Sequence, residues 1–137
     1  MQKVVITGHD LTVDQIIAVC REGAEVVLSD ESREKILASR QVVNELVEER
    51  KVVYGITTGF GKFSDVVISQ DECKLLQKNL IITHAVGAGD PFKEDIARGI
   101  LLLRVNSLSN GFSGICLETV ETMIAMLNKG VTPFIPE

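Results

Sequence analysis

Several signals by which a chain of 137 residues could declare a function are absent. Cysteine is scarce: Cys20, Cys73 and Cys116 are odd in number and far apart, with neither C-x-x-C spacing nor a nearby histidine cluster. That pattern argues against a disulfide framework and against a metal site. Isolated thiols of this kind ordinarily act as small apolar groups, buried or half-buried, and none of the three has a local base to make it a nucleophile. Positive charge is not in excess. A formal charge of -5 turns away nucleic acid and anionic membrane surfaces as partners. No apolar run approaches the length of a membrane span, and Met1-Gln2-Lys3-Val4 lacks the apolar core of a signal peptide, so the default expectation is a cytoplasmic protein. Repeats, low-complexity tracts and linker-like stretches are missing too. With 45% hydrophobic and 24% charged residues, the chain reads as one core-forming domain over residues 1–137.

What is present is concentrated in Tyr54-Gly55-Ile56-Thr57-Thr58-Gly59-Phe60-Gly61, which holds the chain's only tyrosine. Three glycines permit positive φ and close backbone approach, Thr57 and Thr58 can bond neighbouring amides, and Tyr54 offers a titratable hydroxyl. Gly55, Gly59 and Gly61 do not form G-x-G-x-x-G, and no Lys-Ser/Thr follows as in a P-loop. The residues alone leave two readings open, a site-building loop and a tight structural turn.

Around this stretch the pattern is mostly helical. Val4-Val5-Ile6 and Glu25-Val26-Val27-Leu28 read as short strands. Between them, Thr12 and Gln15 form a capping box for a helix over Val13 to Arg21, with Ile16, Ile17, Val19 and Cys20 as its apolar side and Gly23 as its stop. His9 reads as an exposed loop residue. A second helix starts at Asp30 or Ser32 and runs to about Arg50, with Ile36, Val43, Leu46 and Val47 on one face. Lys62 to Ile68 show no period. Ser69 and Glu72 form another capping box, opening a helix that turns Leu75, Leu76, Leu80 and Ile81 inward and ends near His84. From Lys93 to Ser109 the period is helical again, with Ile96, Ile100, Leu103 and Leu108 as the stripe and Leu101 and Leu102 on its flanks. A segment apolar nearly all round belongs in a core or an oligomer interface. Its polar members, Arg98, Arg104 and Asn106, are expected to anchor loops, because buried polar groups need partners. The last helix covers about Cys116 to Asn128, with Val120, Ile124 and Leu127 at helical spacing and Gly130 past its end, before a proline-extended tail.

The stretch Tyr54 to Gly61 resembles the signature loop of the aromatic amino acid ammonia-lyases. Three more stretches follow in that family's order: Leu76-Gln77-Lys78-Asn79-Leu80-Ile81-Ile82-Thr83-His84, then Arg98-Gly99-Ile100-Leu101-Leu102-Leu103-Arg104-Val105-Asn106-Ser107-Leu108, then Asn110-Gly111-Phe112-Ser113-Gly114. The tail Gly130-Val131-Thr132-Pro133-Phe134-Ile135-Pro136-Glu137 is similar to the run leading into the family's Ala-Ser-Gly triplet. Cys116 stands where the family pattern suggests a basic residue.

The resemblance implies a mainly α fold, the helical N-terminal domain of the ammonia-lyase (fumarase/aspartase-like) superfamily, with a few short β-strands. It also implies that these residues correspond to about the first quarter of a family member, ending before Ala-Ser-Gly. The family's electrophile is a methylidene-imidazolone formed from that triplet; the triplet is absent from this sequence, so no cofactor is expected within the chain itself. By the resemblance Tyr54 is the catalytic tyrosine, with Gly55, Thr57, Thr58, Gly59, Phe60 and Gly61 as its signature loop. A phenol titrates at about 10 in water, so a phenolic base needs neighbours that stabilise its anion. His84 is the substrate-binding residue: a Ser-His pair at this place in the family goes with histidine as substrate, and Thr83-His84 keeps the hydroxyl. Conversion of L-histidine to trans-urocanate and ammonia is the activity implied, in a homotetramer with composite active sites, without metal, nucleic acid or membrane. The 137 residues alone are expected to be inactive. Competing readings are a non-catalytic truncated paralogue that acts as a subunit-interaction module, a lyase or aminomutase for another aromatic amino acid, and a small-molecule sensor.

Overall fold

The computed structural model describes residues 2–58 and 70–137, and among them finds five helices and one two-stranded sheet. Gly59, Phe60 and Gly61, the run Lys62 to Ile68, and Ser69 of the second capping box lie outside the described residues. The chain divides into two compact units, Met1–Gln41 with Gly89–Glu137, and Val42–Ala88.

In the first unit, strands β1 (Lys3–Ile6) and β2 (Glu25–Leu28) pair in parallel, with Val4 opposite Val26 and Ile6 opposite Leu28. Side chains alternate across a strand, so those four residues face the core while Val5 is exposed. Parallel strands need a crossover, and helix α1 (Val13–Arg21) supplies it. Its capping box forms as the sequence predicts: Gln15 N donates to Thr12 Oγ1 at 3.3 Å and Thr12 N to Gln15 Oε1 at 2.9 Å. Helices α4 (Glu94–Leu108) and α5 (Leu117–Lys129) complete the core, which gathers Val4, Ile6, Val19, Val26, Leu102, Val105, Val120 and Leu127. Helix α5 stops at Gly130, in the left-handed conformation. Two residues before Gly130, Asn128 closes the open side of β2 by accepting from Val26 N at 2.8 Å and donating to Val26 O at 2.9 Å. A side-chain amide thus stands in for a third strand.

Helix α4 reverses one expectation. Its core face is Ala97, Leu101, Leu102 and Val105, while Ile96, Ile100 and Leu103 of the anticipated stripe are 45%, 41% and 50% exposed. Both faces are apolar, so spacing alone could not choose between them; the packing of α1 and α5 on the same helix does. The anchoring expectation holds for two of three polar residues. Arg98 Nη2 donates to Val19 O at 3.0 Å, and Asn106 Oδ1 accepts from Gly8 N at 3.2 Å, whereas Arg104 is exposed.

The turn after α4 is fastened to helix α2 (Asp30–Glu48). Gly114 N donates to Ser39 Oγ at 2.9 Å and Arg40 Nη1 to Gly114 O at 3.2 Å. Gly111 has φ +74 and lies so close to α2 that an added Cβ would sit 2.6 Å from the Lys35 carbonyl carbon. The tail runs antiparallel to residues 90–92; Phe92 N donates to Ile135 O and Glu137 N to Asp90 O, both at 2.9 Å, because the bridged prolines Pro91 and Pro136 have no N–H to give.

The second unit contains the end of α2, the Tyr54 turn and helix α3 (Gln70–His84). Helix α2 ends in paired bonds, Lys51 N to Leu46 O at 3.1 Å and Arg50 N to Val47 O at 3.2 Å, with Arg50 at φ +53. This is a Schellman ending with arginine where glycine is usual. Along α3, Leu76 and Leu80 are half-buried, but Leu75 and Ile81 are 58% and 69% exposed, against the expectation that all four turn inward. The cysteines differ in part as well: Cys20 is half-buried, while Cys116 is exposed at the start of α5.

Candidate functional site

The Tyr54 turn is built by its own backbone and by one threonine. Ile56 N and Thr57 N both donate to Val53 O, at 3.1 and 3.0 Å, and Gly55 takes φ +74 so that the chain can fold back so tightly. Thr57 Oγ1 accepts from Val53 N at 2.9 Å and donates to Lys51 O. The hydroxyl therefore clamps both ends of the segment that carries Tyr54. Thr57 and Thr58 are buried, at 8% and 3% exposure, whereas Tyr54 is 63% exposed. The usual order of burial is inverted: the two threonines are inside and the tyrosine is largely outside. Next to the turn, a hydrogen bond from Lys51 to the Glu49 carboxylate raises the Lys51 ammonium above its ordinary value, so this lysine stays a cation and offers no base.

His84 is the last residue of α3 and is exposed. Its Nδ1 lies 2.9 Å from Leu80 O and 3.1 Å from Thr83 Oγ1, while Thr83 Oγ1 donates to Asn79 O at 2.8 Å. A carbonyl oxygen only accepts, so the proton of the neutral ring sits on Nδ1, and Nε2 is left as an acceptor. The helix end and the threonine before it set the tautomer. Sequence reasoning placed His84 at a helix end; the tautomer was outside its reach, since it depends on where Leu80 O points.

Both residues singled out from the sequence thus fall in the second unit, each held by local hydrogen bonds. Gly59, Phe60 and Gly61 of the signature loop are outside the described residues. Among the described residues there is no group of His, Cys, Asp and Glu suited to a metal ion, and no helix long and apolar enough to cross a membrane. Asn128, near the end of α5, and Ser39, in the middle of α2, fasten parts of the first unit and were not legible in the sequence, because a single polar residue on a helix gives no local sign of a distant partner.

A family model described as aromatic amino acid lyase matches residues 11–137. The chain belongs to the aromatic amino acid lyase family. It is 58% identical, over all 137 residues, to a protein named histidine ammonia-lyase from Alkaliphilus oremlandii, and it spans 27% of that relative's length. Among solved structures it is similar to histidine ammonia-lyase from Trypanosoma cruzi, with a TM-score of 0.92 and 42% identity, covering 98% of this chain and 26% of that one. Tyrosine aminomutase from Streptomyces globisporus has a TM-score of 0.90 and 35% identity, with 98% of this chain and 26% of the other covered. The mainly helical fold with two short strands is the N-terminal fold of these enzymes, and the chain spans about a quarter of the relatives it matches.

Proposed function

We propose that this chain is the N-terminal portion of a histidine ammonia-lyase, a cytoplasmic homotetramer that eliminates ammonia from L-histidine to give trans-urocanate. The observation that carries the reading is the similarity, at 58% identity without a gap in coverage, to a protein of that name. His84 supports the choice of substrate. Its Nε2 accepts a hydrogen bond from the imidazole N–H of the substrate, a contact that an apolar residue would leave unmade at a cost of about 1–3 kcal/mol.

The methylidene-imidazolone of the family arises from Ala-Ser-Gly, and this sequence contains no such triplet, so its residues do not form the group. When present, it supplies the electrophile that turns ammonia into a feasible leaving group. This chain brings a phenol and an imidazole. Tyr54, exposed on its clamped turn, exchanges protons with the substrate through its hydroxyl; Thr57 and Thr58 hold the turn, and Gly55, Gly59, Phe60 and Gly61 shape the loop around it. His84 orients the substrate ring. The single domain over residues 1–137 is part of the same proposal.

The test is urocanate formation, read by its ultraviolet absorbance, from the whole protein that contains these residues and an Ala-Ser-Gly triplet. Activity with L-histidine, and none with L-tyrosine or L-phenylalanine, is expected. Tyr54→Phe should remove most turnover, while His84→Leu should mainly raise KM for histidine. Release of a β-amino acid instead of urocanate would move the chain to the aminomutases. The 137 residues alone should give no product.

A further inference from the structure

The first unit contains a cavity that the proposed lyase chemistry does not use. Its volume is about 410 Å³, and its walls include Val19, Cys20, Glu25, Glu94, Arg98 and Leu127. Arg98 is 8% exposed. Of its five N–H bonds, one is spent on Val19 O, and none of the ion pairs among the described residues includes it. The neighbouring cation Arg21, by contrast, is matched by Asp95 at 3.0 Å. Among the described residues, Ser32 Oγ alone is a buried side-chain polar atom without a partner, so the remaining nitrogens of Arg98 still touch accessible space, and the space at Arg98 is this cavity. A guanidinium buried without an anion is costly, and a carboxylate would take up its free fork in a charge-assisted, two-bond contact.

The rest of the lining narrows the ligand. Glu25 and Glu94 stand on the walls, Glu25 shared with Lys3 at 3.2 Å and Glu94 accepting from Thr132 at 3.2 Å. They repel phosphate and dicarboxylates, and they attract an ammonium group. Val19 and Leu127 give room for a small apolar side chain. We propose that this cavity binds a free α-amino acid, its carboxylate on Arg98 and its ammonium beside Glu94 and Glu25. The site lies wholly within the first unit, whereas Tyr54 and His84 belong to the second, so it is a second amino acid site and does not depend on the lyase reading.

Cys20 provides the readout, because its thiol lines the cavity and burial pushes it above its ordinary value. Alkylation of the 137-residue chain by iodoacetamide at alkaline pH, followed peptide by peptide, reports on Cys20 separately, with the exposed Cys116 as internal control. L-alanine at ten times its Kd should slow Cys20 alkylation about tenfold by mass action, with Cys116 unchanged. Acetate and methylamine, which carry one half of the zwitterion each, should protect far less. Glu94→Gln, at an exposed position, should weaken protection by L-alanine and leave the weak effect of acetate as it was; Tyr54→Phe should change nothing. No protection by L-alanine, equal protection by acetate, an indifferent Glu94→Gln variant, or loss of protection in Tyr54→Phe would each overturn the proposal.

Discussion

Replacing Thr57 with valine tests whether one hydroxyl holds the Tyr54 turn. Valine matches threonine in shape but removes two hydrogen bonds, the one accepted from Val53 N at 2.9 Å and the one donated to Lys51 O. A typical intramolecular hydrogen bond contributes about 1 kcal/mol net. Val53 is half-buried and Lys51 exposed, so water can re-pair the freed groups once the turn opens, and the larger penalty for a sealed, unpaired group does not apply. The expected loss is therefore about 2 kcal/mol in local stability, or roughly a 30-fold rise in turn opening. Amide hydrogen exchange reads this directly. The Val53 amide should lose about 30-fold in protection, while Thr57→Ser, which keeps the oxygen, should lose far less. Amides of β2 serve as the reference. An unchanged exchange rate at Val53 in Thr57→Val would show that the backbone bonds to Val53 O suffice and that the clamp has no energetic role.

Gly111→Ala should lower the denaturation midpoint by the equivalent of at least about 2 kcal/mol, since it adds left-handed strain to a Cβ placed 2.6 Å from the α2 backbone; urea titration followed by circular dichroism measures it, and a neutral result would mean that α2 yields freely there. Arg50→Gly should act in the other direction, relieving the φ of +53 at the end of α2 and gaining about 0.5–1 kcal/mol against the entropy that glycine adds to the unfolded chain. The pH dependence of Cys20 alkylation follows from the sign of its shift. Burial disfavours the thiolate, so the rate should reach its midpoint at a higher pH than that of an unhindered thiol, and a midpoint below that of the free thiol would refute the burial assignment.

Much of this protein was legible one element at a time. The capping box Thr12 with Gln15 and the stop at Gly23 bound α1, and Gly130 ended α5, because caps and stops act within one turn of chain and carry their partners with them. The β-prone runs at Val4-Val5-Ile6 and Glu25-Val26-Val27-Leu28 marked the two strands, whereas which of their side chains turn inward was settled by folding, and the Tyr54 loop stood out by its composition. What the tertiary structure decided is what one residue does relative to residues far along the chain. Ile96, Ile100 and Leu103 carry the same helical period as Ala97, Leu101 and Val105, and only the arrival of α1 and α5 made the second set the core. Leu75 and Ile81 read as inward for the same local reason and are exposed. Arg98 was recognisable as a polar residue needing a partner; that the partner is Val19 O, 79 positions away, and that the rest of its charge faces a cavity, depends on long-range packing that periodicity does not encode. At the site, sequence supplied the identities Tyr54, Thr57 and His84. Folding decided which of them is buried, which is presented outward, and which nitrogen of His84 accepts, because burial and hydrogen-bond direction are properties of where the neighbours stand.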